Sequence, residues 1–75
     1  MTLIEATDAS QVKIVSFCVG RNAANKLYQL SLSPGVAVKV LRHAPIGGPI
    51  MIEVDGRAIA LGRKIASHIM VEVIE

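Results

Sequence analysis

Apolar and polar positions alternate with a period of two through most of the chain. Val36, Val38 and Val40 alternate with Ala37, Lys39 and Leu41, which predicts a strand with a valine face. Ile50, Ile52 and Val54 alternate with Met51, Glu53 and Asp55 and predict another. Asp55-Gly56 follows, a pair that readily adopts the positive φ angles of a tight hairpin turn. Arg57, Ile59 and Leu61 continue beyond it with Ala58 and Ala60 opposite, so residues 50–61 read as a hairpin. Ile69, Val71 and Val73 alternate with Met70 and Glu72 as a closing strand. Upstream, Gln11 to Val19 predicts a first strand that is apolar at nearly every position from Ile14. Such a run is either buried on both faces or bent where a sheet curls.

The period changes once. Asn22 can cap a helix, and Ala23, Leu27 and Leu30 recur at spacings of four and three, with Ala24 beside them. Pro34-Gly35 is a turn pair that stops the element. A further helical turn is predicted over Arg63 to His68. Ala44-Pro45-Ile46-Gly47-Gly48-Pro49 is a loop, rigid and then flexible. The predicted fold is therefore mainly β: a small five-stranded SH3-like barrel, with a short helix after the first strand and a helical turn before the last. Closing the sheet hides the edges that so apolar a sheet would expose.

Length allows one domain, residues 1–75, with its core in about 11–74. Hydrophobic residues make up 52% of the chain, nearly all Val, Ile, Leu and Ala, which excludes disorder. The two aromatic residues are Phe17, expected as the bulky plug of the barrel, and Tyr28. No uncharged stretch is long and apolar enough for a membrane-spanning helix. One small barrel cannot hide this much apolar surface. Some of Tyr28, Ile46, Met51 and Met70 should therefore remain for a partner, although Ile46 folded back to plug the barrel end is an equal alternative. Met51 and Met70 form either a second core layer or a soft surface patch.

A net charge of +2, with its basic residues scattered, gives no footprint for nucleic acid. The single cysteine excludes an intramolecular disulfide, and the N-terminus carries no signal-peptide pattern, so the expected compartment is the cytoplasm. Cys18, inside an apolar run, is expected to be a buried small hydrophobe. No catalytic constellation is present: Glu53 and Asp55 read as the solvated side of a hairpin, and Gly47-Gly48 lacks the residues of a phosphate loop. The expectation is not an enzyme and no cofactor. A transition metal ion would need the fold to pair solitary ligands such as His43 and His68 with carboxylates.

Three segments in order resemble the FeoA family of small accessory proteins of bacterial ferrous iron uptake. They are Leu30-Ser31-Leu32-Ser33-Pro34-Gly35, the loop Ala44 to Pro49 followed by Ile50, and the tail Ala60-Leu61…Ile65-Ala66…Ile69-Met70-Val71. The resemblance covers about residues 11–74. It implies an SH3-like barrel with a helix after the first strand, a fold also found at the C-terminus of iron-dependent repressors. It also implies a partner, the cytosolic GTPase-containing part of a ferrous iron transporter, with the membrane reached only through it. The sequence departs from the family at Asn25-Lys26, where a basic pair is usual, at Ser31, where glycine is usual, and at Gly62, where a basic residue is usual. The expected partner-binding residues are Lys26, Leu27, Tyr28 and Leu30 on the helix and Pro45, Ile46 and Pro49 on the loop. The alternative is a stand-alone regulatory module that binds a peptide or forms a homo-oligomer.

Overall fold

The alternating valines and isoleucines turn their side chains to one side of a single curled sheet. The computed structural model describes residues 1–74; Glu75, the last residue of the expected domain, lies outside the described residues. Five strands are present: β1 (Gln11–Phe17), β2 (Ala37–His43), β3 (Ile50–Val54), β4 (Arg57–Leu61) and β5 (Ile69–Val73). Their spatial order is β4-β3-β2-β1-β5, and every neighbouring pair is antiparallel. Val12, Ile14, Val38, Val40, Ile50, Ile52, Val54, Ile69 and Val71 are all buried on the inner side. The predicted SH3-like barrel is what the chain forms.

The bend read as one option for the first strand is real. β1 pairs with β5 through Val12–Val73 to Phe17–Ile69, and the register shifts between Ile14 and Ser16. The extra residue, Val15, is exposed while Val12 and Ile14 are buried. A bulge of this kind bends a strand and increases its twist. It also carries the strand end outward. Phe17 is only half-buried against the core rather than its plug, and Cys18, just beyond the strand, is exposed rather than buried. The volume expected of Phe17 is supplied by fully buried leucines, Leu27 and Leu32 among them.

Two helices complete the chain, α1 (Arg21–Gln29) and α2 (Arg63–Ala66). The N-cap of α1 is Gly20 in extended geometry, not Asn22, which lies in the first turn. The helix ends before Pro34-Gly35. Ser31 takes a left-handed φ of 68°, its N–H donates to the Tyr28 carbonyl at 3.0 Å, and the Leu32 N–H donates to the Leu27 carbonyl at 3.0 Å. That is a Schellman ending, and it normally brings an apolar residue after the turn onto one in the last helical turn. Here Leu27 and Leu32 are both buried in the core.

The sheet does not close. β4 and β5 are its two edges, and α2 carries the chain from one to the other. The β5 edge is covered by a segment that the sequence pattern left unassigned. Residues Leu3–Glu5 form a 3-10 turn, Thr2 bridges Met70, and the Val71 N–H donates to the Met1 carbonyl at 2.8 Å. The Ala9 N–H reaches the Val40 carbonyl at 2.7 Å, tying the same segment to β2. The Glu5 carboxylate accepts the Thr2 backbone N–H at 2.7 Å, and this bond holds its pKa below the ordinary value of 4.5. Leu3 and Ala6 are buried, so the core begins before residue 11.

Two outcomes follow. Leu3→Ala removes a fully buried side chain and is expected to destabilise the domain by about 2–5 kcal/mol. An unchanged urea midpoint would place the first ten residues outside the cooperative unit. Ser31→Gly relieves left-handed strain worth roughly 1–2 kcal/mol but adds unfolded-state entropy, for a net stabilisation of about 0.5–1 kcal/mol. The readout is a melting temperature several degrees higher; a lower one would show that the Ser31 side chain stabilises the turn.

Candidate functional site

The residues expected to meet a partner occupy two elements, and the structure divides them into exposed and buried. On α1, Leu27 is 1% exposed and packs in the core. It is therefore corrected from a contact residue to the anchor of the helix, as the inward side of an amphipathic helix requires. Leu30, the C-cap, is half-buried against the same core. Lys26 and Tyr28 face outward, and Tyr28 is 52% exposed. The Tyr28 ring stands 5.8 Å from that of Phe17, centroid to centroid, at 48°. That spacing suits a favourable aromatic pair and fixes the ring while leaving one face to solvent.

The loop between β2 and β3 is built as a turn within a turn. The Ala44 N–H donates to the Pro49 carbonyl at 3.0 Å, and the Gly48 N–H donates to the Pro45 carbonyl at 3.3 Å. Gly48 has no room for a side chain, because a Cβ there would stand 2.8 Å from the Ala44 Cβ. Ile46 and Gly47, the two central residues, have φ of 59° and 71°. Glycine accepts this readily; a β-branched residue with positive φ is an outlier. Ile46 is moreover fully exposed, with Pro45 and Pro49 exposed beside it. The alternative in which Ile46 plugs the barrel is thus overturned. Met51 and Met70 are half-buried on the outer side of their strands.

A cleft of about 610 Å³ lies between the end of β1 and α2, and no periodicity in the sequence marks it. Its lining comes from the end of β1 and the start of α1 (Cys18, Val19, Gly20) and from α2 with its flanks (Gly62, Lys64, Ile65, His68). Arg63, also on α2, approaches the β2–β3 loop instead: a Cβ on Gly47 would stand 3.9 Å from its Cδ. Gly20 and Gly62, one ahead of each helix, lie in that lining, and a Cβ at either would meet nothing within 4 Å.

The histidines are held separately. Both ring nitrogens of His43 are occupied, Nδ1 by the Asp8 carboxylate at 2.7 Å and Nε2 by the Ile4 carbonyl at 3.1 Å. His43 thus pins the N-terminal segment to the end of β2. His68 places Nδ1 2.8 Å from the Lys64 carbonyl. Among the described residues no group of three or more His, Cys, Asp or Glu is arranged to hold a metal ion. Glu53 and Asp55 are exposed.

The sequence and the fold have counterparts in known proteins. The FeoA domain model matches residues 1–73, nearly the whole chain. The chain belongs to the FeoA family. It is 33% identical over 67 residues to a protein of Methanocaldococcus jannaschii described as "Putative Fe(2+) transport protein A", covering 89% of this chain and 79% of that one. The crystal structure of an iron uptake regulatory protein (FeoA) superposes with a TM-score of 0.90 at 34% identity, covering 99% of this chain and 97% of that one. The apo manganese-activated repressor ScaR contains the same fold, with a TM-score of 0.90 at 27% identity; the match covers 99% of this chain and 35% of the repressor. The FeoA match begins at residue 1 and so includes the N-terminal segment that covers the edge of β5. No helix of this FeoA-family chain is long and apolar enough to cross a membrane among the described residues.

Ile46→Asn tests whether the fold needs the exposed side chain. Asn before Gly is the preferred pair for a turn with two positive φ angles, so this variant is expected to be more stable by about 1 kcal/mol. A drop in the thermal midpoint would show that Ile46 stabilises the loop after all.

Proposed function

We propose that this FeoA-family chain is a non-enzymatic accessory protein of ferrous iron transport. It acts in the cytoplasm by docking on the cytosolic, GTPase-containing part of a ferrous iron transporter and modulating uptake. The contact is made by Lys26, Tyr28 and the exposed part of Leu30 on α1, and by Pro45, Ile46 and Pro49 on the loop. The observation that carries this reading is Ile46, a large apolar residue held fully exposed on a strained turn. Strain of this kind persists where the surrounding structure enforces it, and it clusters at binding sites. Family membership and the description of the Methanocaldococcus jannaschii relative support the link to iron transport.

The likeness to ScaR favours a second reading, a regulatory module that acts on its own oligomer or on a peptide. Titration against the isolated cytosolic domain of the transporter separates the two. The first predicts micromolar binding, as befits a small transient interface. Ile46→Asn is expected to weaken that binding about tenfold, a loss of about 1.4 kcal/mol, without lowering the melting temperature. Tyr28→Ala should weaken it as well. Binding indifferent to both substitutions would move the contact elsewhere, and no binding at all would leave the regulatory reading.

A further inference from the structure

The two edges of the sheet are treated differently. β5 is covered by Met1 and Thr2 through backbone hydrogen bonds and a bridge to Met70. β4 has no such cover: among the described residues no backbone–backbone hydrogen bond joins Arg57–Leu61 to anything but β3, and only the Arg57 side chain reaches elsewhere, its Nη2 donating to the Leu30 carbonyl at 3.5 Å. The turn before it fixes which groups are free. Asp55 and Gly56 have φ of 51° and 76°, a two-residue turn that makes Val54 and Arg57 a mutually bonded pair. Bonding then alternates along the ladder, through Ile52–Ile59 and Ile50–Leu61. Ala58 and Ala60 therefore direct their N–H and C=O groups away from β3.

Natural sheets blunt such an edge with lysine, proline, a bulge or a covering segment. Here the two outward positions are exposed alanines, and the β3–β4 ladder runs without a register shift. The geometry points to a second copy of this chain as the occupant, its own β4 laid antiparallel on this one. A two-fold axis through Ile59 sets Ala58 opposite Ala60 of the second copy and Ala60 opposite Ala58. The outward groups are then satisfied in two reciprocal pairs, as an isologous interface requires. Neither alanine carries a charge that would guard the edge against a second strand.

Charge favours the same register. Continued past the strand ends, it carries Asp55 of each copy toward the Arg63–Lys64 pair of the other. The ion pairs among the described residues are Lys13–Glu72 at 3.9 Å and His43–Asp8 at 2.7 Å, so these three groups are uncommitted within the chain. An acidic turn at one end of the strand and a basic pair at the other are complementary under a two-fold axis. A parallel arrangement would set like against like. Five residues of edge bury less than the roughly 1,600 Å² typical of stable complexes, so the dimer is weak and concentration-dependent.

Sedimentation of the full chain from about 10 µM to about 1 mM spans the range where so small an interface should form. The weight-average mass is expected to rise from 8.0 kDa toward twice that value, less so at high salt. Ala58→Lys with Ala60→Lys sets like charges opposite one another across the axis and should weaken association at least tenfold. Ala58→Lys with Ala60→Glu makes the same positions complementary and should restore it. Both pairs of substitutions lie on exposed positions, and equal melting temperatures would confirm that the fold survives them. A wild type that stays monomeric to about 1 mM overturns the proposal, as does a Lys/Lys variant that dimerises like the parent. So would dilution-dependent amide shifts centred on Ile46 rather than on Ala58 and Ala60. Amide shifts at Ala58 and Ala60 that appear only on adding an extended peptide would assign the edge to a peptide instead.

Discussion

β1 is the strand on which the barrel turns. It bonds β2 through Gln11–Lys13 on one side and β5 through Val12–Phe17 on the other, so both halves of the sheet hang from it. Its irregularity between Ile14 and Ser16 gives it the bend that lets both partners curl toward one interior. The loop after α1 rejoins β1 at the same place: the Ile14 N–H donates to the Val36 carbonyl at 2.9 Å, and the Ile14 carbonyl accepts the Gly35 N–H at 2.7 Å. A second register shift, in β2 between Val40 and Arg42, adds to the curl. Together they bring the inward valines and isoleucines of five short strands to one interior.

Strain is distributed unevenly around this frame. Ser31 and Ile46 both hold left-handed backbone that glycine would adopt freely. At Ser31 the cost is offset nearby, because the turn satisfies two helix-end carbonyls and brings Leu32 into the core beside Leu27. At Ile46 nothing in the chain offsets it, since the side chain touches solvent all round. Strain matched by packing is part of the fold. Strain spent on exposing an apolar side chain makes sense only in terms of what that side chain meets.

The parts of the molecule that could be read in advance are those where one residue's role follows from its neighbours' spacing. β2, β3, β4 and β5 lie within a residue or two of the alternating runs, and the Asp55-Gly56 turn joins β3 to β4. The first ten residues carry no period, so their place over β5 and against Val40 could not be read. The positions of Cys18 and Phe17 escape the alternating pattern for a related reason. A bulge flips the faces of a strand, and an apolar run that contains one looks the same as a buried run without one. On α1 the inward and outward positions are adjacent, and burial separates Leu27 from Tyr28. The cleft beside α2 joins Cys18 to His68, residues fifty apart that no local pattern connects.

Sequence alone determined the strand pattern, the hairpin, the helix after the first strand and the resemblance to the FeoA family. Each of these follows from short-range periodicity, turn chemistry or a local motif. Tertiary structure decided which apolar residues are left over. Whether Ile46 would fill the barrel end or stand in solvent depends on how far the β2–β3 loop reaches, and the close approach of Gly48 to Ala44 sets that reach. Whether an edge is covered depends on where the N-terminus lies, and it lies on β5. Burial is a property of the whole chain in space, so the surplus of apolar residues was visible in the composition while its location was not.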